Sequence, residues 1–183
     1  MKNLKLLTAL FIAITSLISC DNDDDIIPVN EEEVITTMTV TLVPVGGGTT
    51  ITLQTRDLDG DGPNPPVKNV SGNLIKNVSY NGSIVLLNET EDPSENITEE
   101  VEEEDDEHQF FYTIGGTLNA NTTYENFDGD GNPLGTEFSL DAGDASNGTL
   151  TFTLRHEPMK PNSGLVDAGG ETDISATFNV TIE

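Results

Sequence analysis

Ile174-Ser175-Ala176-Thr177-Phe178-Asn179-Val180-Thr181-Ile182 decides the fold class. Ile174, Ala176, Phe178, Val180 and Ile182 alternate with polar residues, the period-two pattern of a strand that buries one face. The same chemistry recurs upstream. Residues 34–43 alternate Ile35, Met38, Val40 and Leu42 among threonines, and Gly46-Gly47-Gly48 then turns the chain into a run at 50–55. Further strands are expected at 79–87, 109–114, 122–127, 135–140 and 149–155, rich in Val, Ile, Thr and Phe and separated by Gly, Asn, Asp and Pro clusters. About seven to nine short strands, each with one apolar face, predict an all-β immunoglobulin/fibronectin-like two-sheet sandwich.

Two tyrosines support that reading. Leu74 precedes Tyr80 by six positions, and Leu118 precedes Tyr124 by six, with Asn and Thr or Ser between. Both resemble the tyrosine corner of such sandwiches, in which the hydroxyl bonds back to nearby backbone. One interruption of the β pattern falls at 96–106. Ile97 and Val101 lie four apart, and Asn96 or Thr98 can cap a first turn containing Glu99 and Glu100. The six acids from Glu102 to Glu107 repel one another, so a short frayed helix or an acidic loop is expected.

The N-terminus has Lys2 and Lys5, an apolar run from Leu6 to Leu17, and then Leu17-Ile18-Ser19-Cys20. This is the pattern of a secretory signal, and the apolar run is too short for a membrane span. Leu-Ile-Ser-Cys resembles the bacterial lipobox, which implies cleavage before Cys20 and lipidation of its thiol. The expected organisation is a signal peptide at 1–19, a lipidated acidic tether at 20–33 and one domain at 34–183. The cluster Asp21-Asn22-Asp23-Asp24-Asp25 resembles the acidic segment of surface-exposed lipoproteins of the Bacteroidota. That resemblance implies the outer membrane, facing outward or on the periplasmic side.

Charge narrows the function classes. The 33 acidic residues face 7 basic ones, a formal net charge of −26. Nucleic acid would be repelled, and any membrane contact must come from the lipid on Cys20. Cations, or proteins with basic surfaces, are the expected partners. Cys20 is the only cysteine, so disulfides and thiolate metal sites are excluded once it is lipidated.

Three stretches carry candidate metal chemistry. Asp57, Asp59 and Asp61 stand at positions 1, 3 and 5 of a calcium-type loop with Gly62 at 6, although Lys68 replaces the bidentate acid at position 12. Asp128 and Asp130 lie in a second such loop, with Glu137 at its twelfth position, where an Asp-Gly hairpin turn is the simpler alternative. The acidic run containing Glu104 and Asp105 ends at His108, and the other histidine lies in His156-Glu157. Imidazole with carboxylate suits zinc or another transition metal. Both histidines fall near strand ends, where the fold can bring them together. No Gly-x-Ser-x-Gly, His-Glu-x-x-His or Gly-Lys-Ser/Thr motif is present, and no enzyme is expected.

Several stretches resemble a family of small Bacteroidota lipoproteins: 31–37, 58–62, 97–100, 106–112, 154–158 and 169–174, the last reading Gly169-Gly170-Glu171-Thr172-Asp173-Ile174. Members often carry the label "type 1 periplasmic binding fold superfamily protein". The βαβ alternation and two lobes which that label calls for are not in this chain. The resemblance implies an accessory role, capturing or presenting a ligand beside an outer-membrane transporter. The expected function is therefore non-enzymatic binding of divalent cations, with His108, His156 and Glu157 as ligands assisted by Glu104 and Asp105. Asp57, Asp59 and Asp61 would hold calcium. The alternative is an acidic module docking a basic partner without a specific metal.

Overall fold

The computed structural model describes residues 33–60 and 62–183; Cys20, the acidic tether up to Glu32, and Asp61 lie outside the described residues. Among the described residues, ten strands and one helix follow in order: β1 (Thr37–Pro44), β2 (Ile51–Arg56), β3 (Val67–Val70), β4 (Val78–Asn88), β5 (Glu95–Asn96), α1 (Ile97–Glu103), β6 (His108–Gly116), β7 (Ala120–Tyr124), β8 (Glu137–Ala142), β9 (Ser146–His156) and β10 (Glu171–Ile182). They form two antiparallel sheets. The larger runs β3-β2-β1-β4-β8-β7, with β5 paired to β4, and the smaller runs β10-β9-β6.

The all-β sandwich read from the alternation of β10 is the fold observed. Ala176, Phe178, Val180 and Ile182 are buried, and Ser175, Thr177, Asn179 and Thr181 are exposed. Their apolar face meets Met38, Val40 and Leu42 of β1 and Leu150, Phe152 and Leu154 of β9 in one core. Phe138 of the larger sheet packs on Phe152 of the smaller, with ring centroids 5.6 Å apart. Each fully buried large apolar side chain stabilises the fold by roughly 1.5–3 kcal/mol.

Two strands, β3 and β5, lie outside the runs expected from sequence. β3 follows Pro63, Pro65 and Pro66 and is almost wholly exposed, so no apolar alternation marks it. β5 is only two residues long.

Both tyrosine hydroxyls bond to backbone. Tyr80 accepts from the Ile75 amide at 2.7 Å, five residues upstream, whereas Tyr124 donates to the Phe110 carbonyl at 2.8 Å on a different strand. The second is therefore a cross-strand tie and not a copy of the first corner.

The acidic stretch forms a short helix, as expected, which ends at Glu103. α1 is capped by Asn96, whose side chain accepts from the Thr98 amide at 3.3 Å. Ile97 and Val101 are buried against the sandwich, Glu99, Glu100 and Glu103 are exposed, and Glu102 accepts from the Thr136 hydroxyl at 2.7 Å. Thr98 fastens the helix to β4 by accepting from the Leu86 amide at 2.8 Å. The chain leaves the helix through Glu104, whose amide bonds to the Glu100 carbonyl, and enters β6 at His108.

Candidate metal centre

The site is built by strand register. β6 and β9 are antiparallel, and His108 at the start of β6 is the direct partner of His156 at the end of β9. Their rings lie edge to face, with centroids 4.6 Å apart. The side chain of His108 has no solvent exposure and that of His156 only 6%.

Each further side chain arrives for an identifiable reason. β10 pairs with β9, and its register slips between Thr172 and Ile174. Asp173 sits at this bulge, and bulges re-aim side chains that plain alternation would send outward. Its carboxylate is 2% exposed and reaches to 3.8 Å from Nδ1 of His156. The approach to that point depends on Gly169 and Gly170, both left-handed, with φ of 65° and 68°. A Cβ on Gly170 would fall 2.2 Å from the His156 carbonyl oxygen, so the two strand ends meet there only because the residue is glycine.

Glu33, just before β1, completes the set. Its Oε1 lies 2.8 Å from Nε2 of His108 and its Oε2 3.3 Å from Nδ1 of His156, so one carboxylate spans both rings. Nδ1 of His108 faces the Glu104 carbonyl oxygen at 3.1 Å. A backbone acceptor at Nδ1 fixes the proton there and directs Nε2 inward, the usual support for a ligating histidine.

Burial works to lower the His156 pKa. The Glu33 carboxylate, its hydrogen bond, and the charges of Asp173 and Glu157 outweigh burial and raise it above the ordinary value.

Among the described residues, two groups bring three or more ligand-type side chains together, with one ligand atom from each lying within 4.8 Å of the others. One is Glu33, His108, His156 and Asp173, which is buried; the other is Glu107, His156 and Glu157, whose carboxylates are exposed. The first can hold a metal ion. Of the residues singled out from sequence, His108 and His156 fall in the first group, and His156 and Glu157 in the second.

The remaining sequence candidates lie elsewhere or act differently. Glu104 and Asp105 contribute backbone and not carboxylates: Glu104 orients His108, and the Asp105 carbonyl accepts from Nζ of Lys160 at 2.5 Å. Asp128 is held by the Asp130 and Asn132 amides and by the Asn132 side chain. Nζ of Lys160 lies 3.3 Å from Oδ2 of Asp128, so an ammonium already supplies a cation in this hairpin turn. Asp130 and Glu137 are exposed, and Glu137 meets the loop through its amide, which donates to Asn126.

In the first loop, Oδ2 of Asp59 accepts from the side chain and amide of Asn64, at 2.7 and 3.4 Å, which lowers the Asp59 pKa. Asp57, Asp59 and Asp173 line a cleft of about 510 Å³ beside the buried cluster, with Lys68 on its wall. Asp61, the third acid of that loop, is outside the described residues.

Glu33 and Asp173 were not legible as ligands. Glu33 ends a polar acidic stretch that reads as solvated, and Asp173 falls on the outward parity of β10. The one signal for Asp173 was the glycine pair just before the strand.

Comparison with family models, with curated proteins and with solved structures gave no match. Fold and site together define an all-β sandwich with a buried two-histidine, two-carboxylate cluster of metal-binding type. No helix among the described residues is long and apolar enough to cross a membrane.

Proposed function

We propose that this is a non-enzymatic cell-envelope lipoprotein, anchored through Cys20, that captures a transition-metal dication of the zinc type. The observation that carries the reading is the convergence of Glu33, His108, His156 and Asp173 in a buried pocket. Two imidazoles and two carboxylates suit zinc, whereas calcium takes six to eight oxygen ligands. Four protein ligands close a tetrahedral shell, and a catalytic zinc needs an open position. The set therefore favours holding over chemistry. Glu33 and Asp173 neutralise the dication, and the −26 charge of the chain concentrates cations around it. A role beside an outer-membrane transporter follows from the lipoprotein reading, with the domain handing metal to the transporter.

The exposed acids around α1 favour a second reading. Glu95, Glu99, Glu100, Glu103 and Glu104 line one surface hollow, suited to docking a basic partner. Such docking weakens smoothly with ionic strength, while inner-sphere coordination persists.

A zinc titration against a competing chelator separates the two. Asp173→Asn and His156→Gln should each weaken zinc binding by at least the roughly 10–100-fold that disturbing an outer partner of a metal ligand costs. Unchanged zinc affinity in both variants would overturn the metal reading and leave the docking face.

A further inference from the structure

We propose a second, outer dication subsite formed by Glu107, Glu157 and Nε2 of His156, so that one imidazole bridges two ions. The proposal rests on the reading of the buried cluster as a metal site and extends it outward.

The ring of His156 has carboxylates on both sides. Nδ1 faces Glu33 at 3.3 Å and Asp173 at 3.8 Å, while Nε2 faces Glu107 at 3.9 Å. Glu157, the next residue, brings a carboxylate oxygen within 4.8 Å of the ligand atoms of both His156 and Glu107. The backbone holds the two acids together, since the Glu157 amide donates to the Glu107 carbonyl at 2.7 Å. The Glu107 side chain is 49% exposed, which leaves it the rotamer freedom to close on an ion.

Charge balance favours double occupancy. Glu33 and Asp173 offset the inner dication, and Glu107 and Glu157 offset the outer one. Both ring protons leave to solvent, and the bridging imidazolate adds a fifth negative charge between the ions. With metal–nitrogen bonds of about 2.0–2.1 Å on opposite sides of one ring, the ions stand roughly 6 Å apart.

The two positions differ in access. The inner side chains are between 0% and 6% exposed, so an inner ion has almost no contact with water. The outer position has three protein ligands and keeps room for water or an incoming chelator. The outer subsite therefore offers an ion one way in and out, besides the cleft that reaches Asp173.

Native mass spectrometry of the intact chain with zinc should find two ions, and one in the Glu107→Gln/Glu157→Gln double variant. Melting in chelator should show that the double variant is folded. Copper(II) supplies an independent signature: with two coppers bound, coupling across the ring should quench most of the paramagnetic resonance signal. The single copper of the double variant should give its full signal. One ion in the unaltered protein, lost in Asp173→Asn, would overturn the bridge while leaving the buried site intact. Two uncoupled ions that persist in the double variant would place the second on the general acidic surface and also overturn it. No bound ion at all would sink both readings.

Discussion

Glu33 holds the centre of the site. One carboxylate, 3% exposed, lies between two histidines of which neither is appreciably exposed. Such a group matters because a buried imidazolium without a counter-charge is costly. The sign of the pH effect follows from the raised pKa of His156, set by burial acting against Glu33, Asp173 and Glu157. In metal-free protein its imidazolium contributes stability that is fully present below the ordinary histidine value of about 6.5. That contribution fades as pH rises through the higher folded value. The groups facing His156 are Glu33 and Asp173 on its Nδ1 side, Glu107 on its Nε2 side, Glu157 beside it in the chain, and the His108 ring. Melting temperatures in chelator should therefore fall between about pH 6 and 8, the window in which histidine charge changes. In His156→Gln the slope over that window should flatten. Zinc should reverse the trend, because it competes with the proton and gains as pH rises. A flat profile in the unaltered protein would remove the ion-pair account. The two histidines stood out in the sequence as the only ones in an acidic chain. Their carboxylate partners did not, since among 33 acids nothing local marks Glu33 and Asp173 as the ones that face the histidines.

The elements of the site are strand ends, and their register sets its geometry. β10 was recognisable from alternation and β6 and β9 from runs rich in Phe, Thr and Ile, and antiparallel pairing of β6 with β9 places the histidines opposite each other. The bulge before Ile174 was not recognisable, because Gly169 to Asp173 ahead of it carry no apolar residue whose parity would reveal the slip. Gly169 and Gly170 show what the bulge depends on. Both have positive φ, yet a Cβ on Gly169 meets nothing within 4 Å, while one on Gly170 meets the His156 carbonyl. Gly169→Ala should cost only the left-handed backbone penalty, about 1–2 kcal/mol. Gly170→Ala adds a backbone clash, so it should cost more in chemical denaturation and also weaken zinc binding by moving Asp173. Equal effects of the two substitutions would contradict this account of the strand junction. The same reasoning explains why β3 escaped notice. It lies at the sheet edge with Val67, Lys68 and Asn69 exposed, and an edge strand of that kind has no buried face to leave a pattern.

At the scale of the whole molecule, a chain of formal charge −26 builds a sandwich with one apolar core and places two imidazoles at one end of its smaller sheet. The net charge draws in dications without selecting among them, and screening by salt weakens that attraction. Selection falls to the donor set, in which nitrogen ligands separate zinc-type ions from calcium. Sequence composition pointed to cationic partners, metal ions or basic proteins alike. The choice of metal type depends on contacts spanning 75 and 123 residues of chain, from Glu33 to His108 and His156, which no local pattern encodes. X-ray absorption at the zinc edge of protein loaded with one equivalent reads the donor set directly. The expected result is a four-coordinate nitrogen/oxygen shell with the outer-ring scattering of two imidazoles, reduced to one in His108→Gln. An all-oxygen shell, or a six-coordinate one without imidazole scattering, would contradict the assignment of Glu33, His108, His156 and Asp173 as the metal centre.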